Sequence, residues 1–239
     1  MKLFIKTIWI GVLIISLTSC AINGVKGNRN VVTRDRAITK DFNTVEVSRG
    51  LDVYLTTGEK VSVSVEADEN LHDLITTEVH DGTLYISSEE NIYSAKARKI
   101  YVSVPEIDEI KATSGSDVYS ENTITGNKLV LKATSGADIR IRVNVKHLEA
   151  RSTSGSDIIL KGKSQFFDVS ATSGSDIKAY DLTAVECVAS ATSGADITVY
   201  VTKKIDANAT SGADVKYRGN PEIVLTDESS SGDVKKTGD

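Results

Sequence analysis

Six residues, Thr113-Ser114-Gly115-Ser116-Asp117-Val118, return with small changes at Thr134, Thr153, Thr172, Thr192 and Thr210, so the second half of the chain repeats itself every 18 to 21 residues. A degenerate copy, Ser230-Ser231-Gly232-Asp233-Val234, closes the series, and an early one, Ser48-Arg49-Gly50-Leu51-Asp52-Val53, opens it. A unit this short cannot bury a core by itself. Self-similarity at a period near 20 therefore demands a stack in which each unit is covered by its neighbours.

The flanks of each copy say what is stacked. Counting back from the threonine in steps of two gives Ala133, Leu131 and Leu129, or Ala171, Val169 and Phe167; counting forward from the aspartate gives Ile139, Ile141 and Val143. Period two on both sides means strands with one face buried. Between them the glycine suits a corner that needs positive φ, and Ser, Thr and Asp side chains suit freed amides there. Each unit thus reads as strand, tight corner, strand and return loop. No helix-length segment separates the copies, which excludes a doubly wound α/β sheet. The expected fold is all-β, a right-handed parallel β-helix (β-solenoid) with coils of about 19 residues. Parallel crossovers are overwhelmingly right-handed, and a left-handed hexapeptide helix would need three hexapeptide echoes per coil where one is present.

The rest of the chain is organised around that stack. Residues 1–19 carry Lys2 and Lys6, an apolar run from Ile8 to Leu17, and end in Leu17-Thr18-Ser19-Cys20, the pattern of an export signal. Its last four residues resemble the bacterial lipobox, on which Cys20 becomes the lipidated first residue and the protein meets the membrane through a lipid anchor. Residues 20–38 read as a polar tether leading into a first strand near Asn30 to Arg36. Residues 39–239 form one solenoid domain, with 39–110 a less regular N-terminal layer and 111–239 the regular coils. Within the layer, Asp68 to Ile75 has the spacing of one or two helical turns.

Charge narrows the partners. Without the export segment, 26 basic residues face 33 acidic ones, which argues against nucleic acid. Cys187 is then the one cysteine besides Cys20, on an inward row where it reads as a small buried hydrophobe.

An ordered set of motifs carries a resemblance: Gly27-Asn28, the Arg49-Gly50-Leu51-Asp52-Val53 corner, Val65-Glu66-Ala67-Asp68-Glu69-Asn70-Leu71, Asp81-Gly82-Thr83-Leu84, Val102-Ser103-Val104-Pro105 and the Ser-Gly-x-Asp repeats. Together they resemble the putative auto-transporter adhesin, head GIN domain family, over nearly all of the mature chain. The resemblance implies a right-handed β-helical architecture, an exported or lipid-anchored envelope protein of Bacteroidetes-type bacteria, and an adhesive role. It brings no catalytic residues. Ala21 after Cys20, rather than Asp, points by analogy to the outer membrane; the face of that membrane and the oligomeric state stay open.

Two rows of side chains carry the chemistry. The first is an aspartate ladder: Asp52, Asp117, Asp138, Asp157, Asp176, Asp196 and Asp214. Carboxylates about 5 Å apart repel by roughly 3 to 4 kcal/mol at an effective dielectric of 20 and about 1 kcal/mol in water, so an unpaired buried row is untenable. The residues either cap corner amides while facing solvent, or bind cations; a Ca2+ ladder is disfavoured because one Asp per coil supplies few oxygens. The second row lies outward, two and four residues beyond each aspartate, and includes Tyr119, Arg140, Arg142, Lys161, Lys178, Tyr180, Tyr200, Lys216 and Arg218. This basic and aromatic stripe suits a glycan or a cell-surface protein, against the simpler reading that its cations offset the aspartates. His72, His80 and His147 are scattered without metal-ligand spacing, and the acids form a uniform ladder where an active site would break the repeat at one level. A binding or spacer protein is therefore expected ahead of a polysaccharide-active enzyme, with no cofactor and no metal.

Overall fold

The computed structural model describes residues 24–238; the export segment and Cys20 lie outside the described residues. The N-terminal layer contains β1 (Val25–Lys26), β2 (Val31–Arg36), β3 (Thr44–Val47), β4 (Asp52–Thr57), β5 (Ser62–Asp68), β6 (Ile75–His80), β7 (Thr83–Ser88), β8 (Ile92–Ser94) and β9 (Arg98–Val104). A single 3-10 turn, Glu69–Leu71, stands where helical turns are expected. Then come β10 (Glu109–Thr113) and five long strands: β11 (Asp117–Thr134), β12 (Asp138–Thr153), β13 (Asp157–Thr172), β14 (Asp176–Thr192) and β15 (Asp196–Thr210). The chain ends in β16 (Asp214–Arg218), β17 (Ile223–Ser229) and β18 (Asp233–Lys236).

Most of these strands pair in parallel, and the stacked coils form a β-solenoid of roughly seven turns. Equivalent residues of successive repeats face one another. Asp52 lies opposite Asp117, which lies opposite Asp138, and the same register continues through Asp157, Asp176, Asp196, Asp214 and Asp233. The corners therefore line up along one edge. The early copy at Arg49-Gly50 belongs to the same column, because β4 pairs with β11 and β3 with β10.

One expectation needs correcting. No return loop separates the two strands of a coil: β12 and β13 each run unbroken from a corner aspartate to the next corner threonine. The second turn is made inside the strand, where consecutive side chains point outward, as at Lys146-His147 and Gln165-Phe166. The bends fall at equivalent positions, so the parallel register resumes beyond each one, at Lys128, His147, Phe166, Glu186 and Lys204.

Inward columns fill the stack. Leu129, Leu148, Phe167, Cys187 and Ile205 form one such column, all buried. Just before each corner the column narrows to Ala133, Ser152, Ala171, Ala191 and Ala209, leaving room for the backbone to turn inward. Burial pushes the Cys187 thiol well above its ordinary pKa, so it behaves as an inert hydrophobe.

The two ends differ. At the N-terminal end, β5 pairs antiparallel with both β2 and β9, and β6 pairs antiparallel with β7. Asp68, enclosed at 0% exposure, clasps this layer by accepting the amides of Arg29 (2.8 Å), Lys96 (3.0 Å) and Ala97 (3.1 Å). Burial alone would raise the Asp68 pKa, but these amides hold it below the usual carboxylate range. At the C-terminal end, β17 pairs with β15 and is exposed along its whole length.

Candidate functional site

Each Ser-Gly corner is a four-residue turn. Ser114 and Gly115 both have positive φ, 56° and 70°, and the same pair recurs at Ser135-Gly136 and in every later regular coil. Positive φ at both central residues marks a type I′ turn, closed here by the Ser116 amide donating to the Thr113 carbonyl at 3.3 Å. The serine thus shares the left-handed conformation expected of the glycine alone. The residue after the glycine is inward and small: Ser116, Ala137, Ser156, Ser175, Ala195 or Ala213, all buried. Where it is serine its hydroxyl works for the backbone. Ser175 Oγ accepts the Thr172 amide (3.1 Å) and donates to the Ser152 carbonyl of the preceding coil (2.8 Å).

This leaves the aspartates little capping to do. The Gly136 amide donates to Ser154 one coil ahead, and the Asp138 amide to Ser116 one coil behind, a pattern that repeats along the column. The carboxylates turn instead to the first positions of the stripe. Arg140 pairs with Asp138 at 2.7 Å, Lys178 bridges Asp157 and Asp176 at 3.1 Å each, and Lys216 bridges Asp196 (3.6 Å) and Asp214 (2.9 Å). Lower in the ladder, where the neighbouring positions are tyrosines, Tyr119 donates its hydroxyl to Asp117 at 3.1 Å. Burial and the Asp117 charge push the Tyr119 pKa up to about 12, and burial together with Asp117 raises that of Asp52.

The stripe splits accordingly. Tyr101, Tyr54 and Tyr119 form a continuous stack with centroids 5.3 and 5.2 Å apart, topped by the Arg140 guanidinium 5.6 Å from Tyr119. Arg140, Lys178 and Lys216 are engaged by the ladder. The outer row keeps more freedom: Arg142 is exposed and its side chain has no ion pair among the described residues, Lys161 meets Asp181 at 3.0 Å on open surface, and Arg218 lies 4.0 Å over the Tyr180 ring. Tyr200 stands half-buried opposite Arg218. Two shallow depressions run between these side chains, about 260 Å³ beside Arg142 and Lys161 and about 390 Å³ beside Tyr180 and Arg218.

A further groove, about 400 Å³, follows the second turn of the coil. Its column is Lys128, His147, Phe166, Glu186 and Lys204, in register from strand to strand. His147 and Phe166 stack face to face, centroids 4.9 Å apart and planes 16° apart. Sequence reasoning missed this column although its signal was present, since each member stands six residues before a corner threonine. Among the described residues no group of three or more His, Cys, Asp or Glu side chains is arranged to hold a metal ion, and no helix is long and apolar enough to cross a membrane. His72 is buried in the N-terminal layer with Nε2 3.1 Å from the Val32 carbonyl.

The family model for the putative auto-transporter adhesin, head GIN domain, matches residues 41–221. Among solved structures, a putative adhesin from Bacteroides fragilis NCTC 9343 is similar at 25% identity and a TM-score of 0.83, covering 90% of this chain and 100% of its own. A putative lipid binding protein from Parabacteroides distasonis ATCC 8503 (22% identity, TM-score 0.72, 89% and 99% covered) and a putative adhesin from Parabacteroides merdae ATCC 43184 (18%, 0.71, 89% and 98%) share the fold. A search of the curated proteins finds no match.

Proposed function

Because this chain belongs to the putative auto-transporter adhesin, head GIN domain family, we propose that it is a non-enzymatic adhesin of the cell envelope, lipid-anchored through Cys20, whose outward columns meet a glycan or a protein on another surface. The observation that carries this reading is the spread of outward basic and aromatic side chains over successive coils, with Arg142 opposite Lys161 and Tyr200 opposite Arg218 while Asp181 and Thr183 take the places between, which offers several weak contacts to a repetitive partner. Such contacts add through effective concentration once the first has formed. Within the stripe, the outer row of Arg142, Lys161, Tyr180, Tyr200 and Arg218 is the proposed contact surface, because the inner cations already serve the aspartates. Those same ion pairs favour the second reading, a structural spacer whose charges answer only one another.

Replacing Arg142, Lys161, Tyr180 and Tyr200 together by alanine separates the two. The adhesin reading expects loss of retention on cell-wall and glycan material with an unchanged melting temperature; full retention removes the stripe as the contact surface. Replacing Cys20 by alanine should abolish incorporation of labelled fatty acid and release the protein from the membrane fraction.

A further inference from the structure

Resting on the adhesin reading, we infer that the groove along the second turn binds a neutral polysaccharide chain laid parallel to the rod axis. Its centre is apolar and open. The stacked His147 and Phe166 rings present their edges and outer faces at successive rungs, and Val188 one strand further is 54% exposed. Aromatic and aliphatic surface left open on a well-packed rod costs solvation with no return inside the fold. The apolar C–H faces of pyranose rings are the ligand surface that such a platform fits.

Mixed charge suits a neutral polymer. Glu149, Asp168 and Glu186 line the groove together with Lys128 and Lys204. Glu149 is held by Arg151 at 2.7 Å and Glu186 by Lys203 at 3.6 Å, while Asp168 between them has no ion pair among the described residues. Asp168 is therefore the acceptor available to sugar hydroxyls beside the aromatic platform. With three acids against two lysines the lining gives a polyanion no net attraction, whereas a neutral chain needs none. The column also has the right geometry for a chain. Four steps from Lys128 to Lys204 span roughly 19 Å at about 4.8 Å per rung. A pyranose in an extended β-linked polymer advances by close to one rung, so successive sugars meet successive coils.

The test uses full-length protein purified in detergent, with xylan, β-glucan and galactomannan as neutral probes and polygalacturonate as the acidic one, read by affinity electrophoresis. Wild type should be retarded by at least one neutral polymer and not by polygalacturonate. The double variant His147→Ala, Phe166→Ala should lose about tenfold or more of that affinity at an unchanged circular dichroism spectrum, and Asp168→Asn should relax the exclusion of polygalacturonate. Equal retardation of the double variant, preference for polygalacturonate, or no neutral polymer bound overturns the inference. Adhesion to whole cells distinguishes the two levels. If wild type and double variant adhere equally, the groove proposal fails and the adhesin reading stands; if wild type does not adhere at all, the adhesin reading fails. Adhesion that needs the groove but is abolished by protease treatment of the target, and is not competed by neutral polymers, assigns the groove to a protein and overturns the glycan.

Discussion

Two turns of each coil follow opposite rules. At the Ser-Gly corner the same small residues recur in coil after coil, their amides bond to the coils before and after, and their charges pair within the column. At the second turn the residues are Lys128, His147, Phe166, Glu186 and Lys204, with no chemical constancy, and the bend needs only that two side chains face out. The corner is dictated by backbone geometry and tolerates little; the second turn is dictated by inward packing alone and leaves its outer surface open to selection for something else. Uniformity in a repeat protein therefore marks what holds the stack together, and variation at a fixed register marks where the surface is available for recognition.

The sharpest way to break this comparison lies at the second turn itself, where two phenylalanines are adjacent. Phe167 is 1% exposed, and Phe167→Ala should cost about 3 to 5 kcal/mol of stability. Phe166→Ala, which removes only an outward ring stacked on His147, should cost no more than about 1.5 kcal/mol. Urea denaturation of both variants checks this; comparable losses would mean the outer face is structural after all.

The next effect comes from the corner glycines. Gly155 has a φ of 69° and open space where a Cβ would stand, so Gly155→Ala carries a purely conformational cost of about 1 to 2 kcal/mol. Gly126, near the second turn and also facing open space but without positive φ, should accept alanine without loss or gain up to about 1 kcal/mol. Thermal melts of the two single variants would separate the columns cleanly.

The smallest expected effect concerns the ladder. Burial works against the Lys178 charge, yet Asp157 and Asp176 together hold its pKa above the ordinary lysine range; hydrogen bonding to Asp214, helped by Asp196, does the same for Lys216. A raised lysine pKa stabilises fully below the unfolded value of about 10.4 and ceases to do so as pH rises through the folded one. Half-exposed pairs are screened, so Lys178→Gln should cost less than about 1 kcal/mol at low salt and nothing measurable at high salt. The variant should also flatten the alkaline limb of the stability profile, which a pH series of melts at two ionic strengths would measure.

Much of this architecture could be read from one chain. The threonine-to-aspartate spacing placed Asp52, Asp117, Asp138 and their successors in one column, and alternation assigned Phe167 and Cys187 to the interior. What could not be read follows from the physics of those positions. A return loop is the natural expectation because nothing local distinguishes a bend inside a strand from a break in it; only the neighbouring coils, bending in step, restore the register beyond it. Capping was assigned to the aspartates because Asp is a common cap, whereas the buried Ser156 and Ser175 do part of that work and the ladder does the rest. The antiparallel cap of β2, β5 and β9 lies outside any repeat, so its pairing left no periodic trace. The stripe could be named residue by residue, but register shifts set Asp181 opposite Lys161 and Thr183 opposite Tyr200, and which cations were committed to Asp138, Asp157 or Asp214 depended on side-chain reach.

The handing of glycine amides forward and aspartate amides backward along the corner column has a modular outcome. A section of about 19 residues inserted or excised between two corners would find the same donors and acceptors on either side, and would move the tip by about 4.8 Å while leaving the cross-section alone. Gene duplication can thus set the reach of such a molecule in fixed increments, like links added to a chain, without having to reinvent how any link is made.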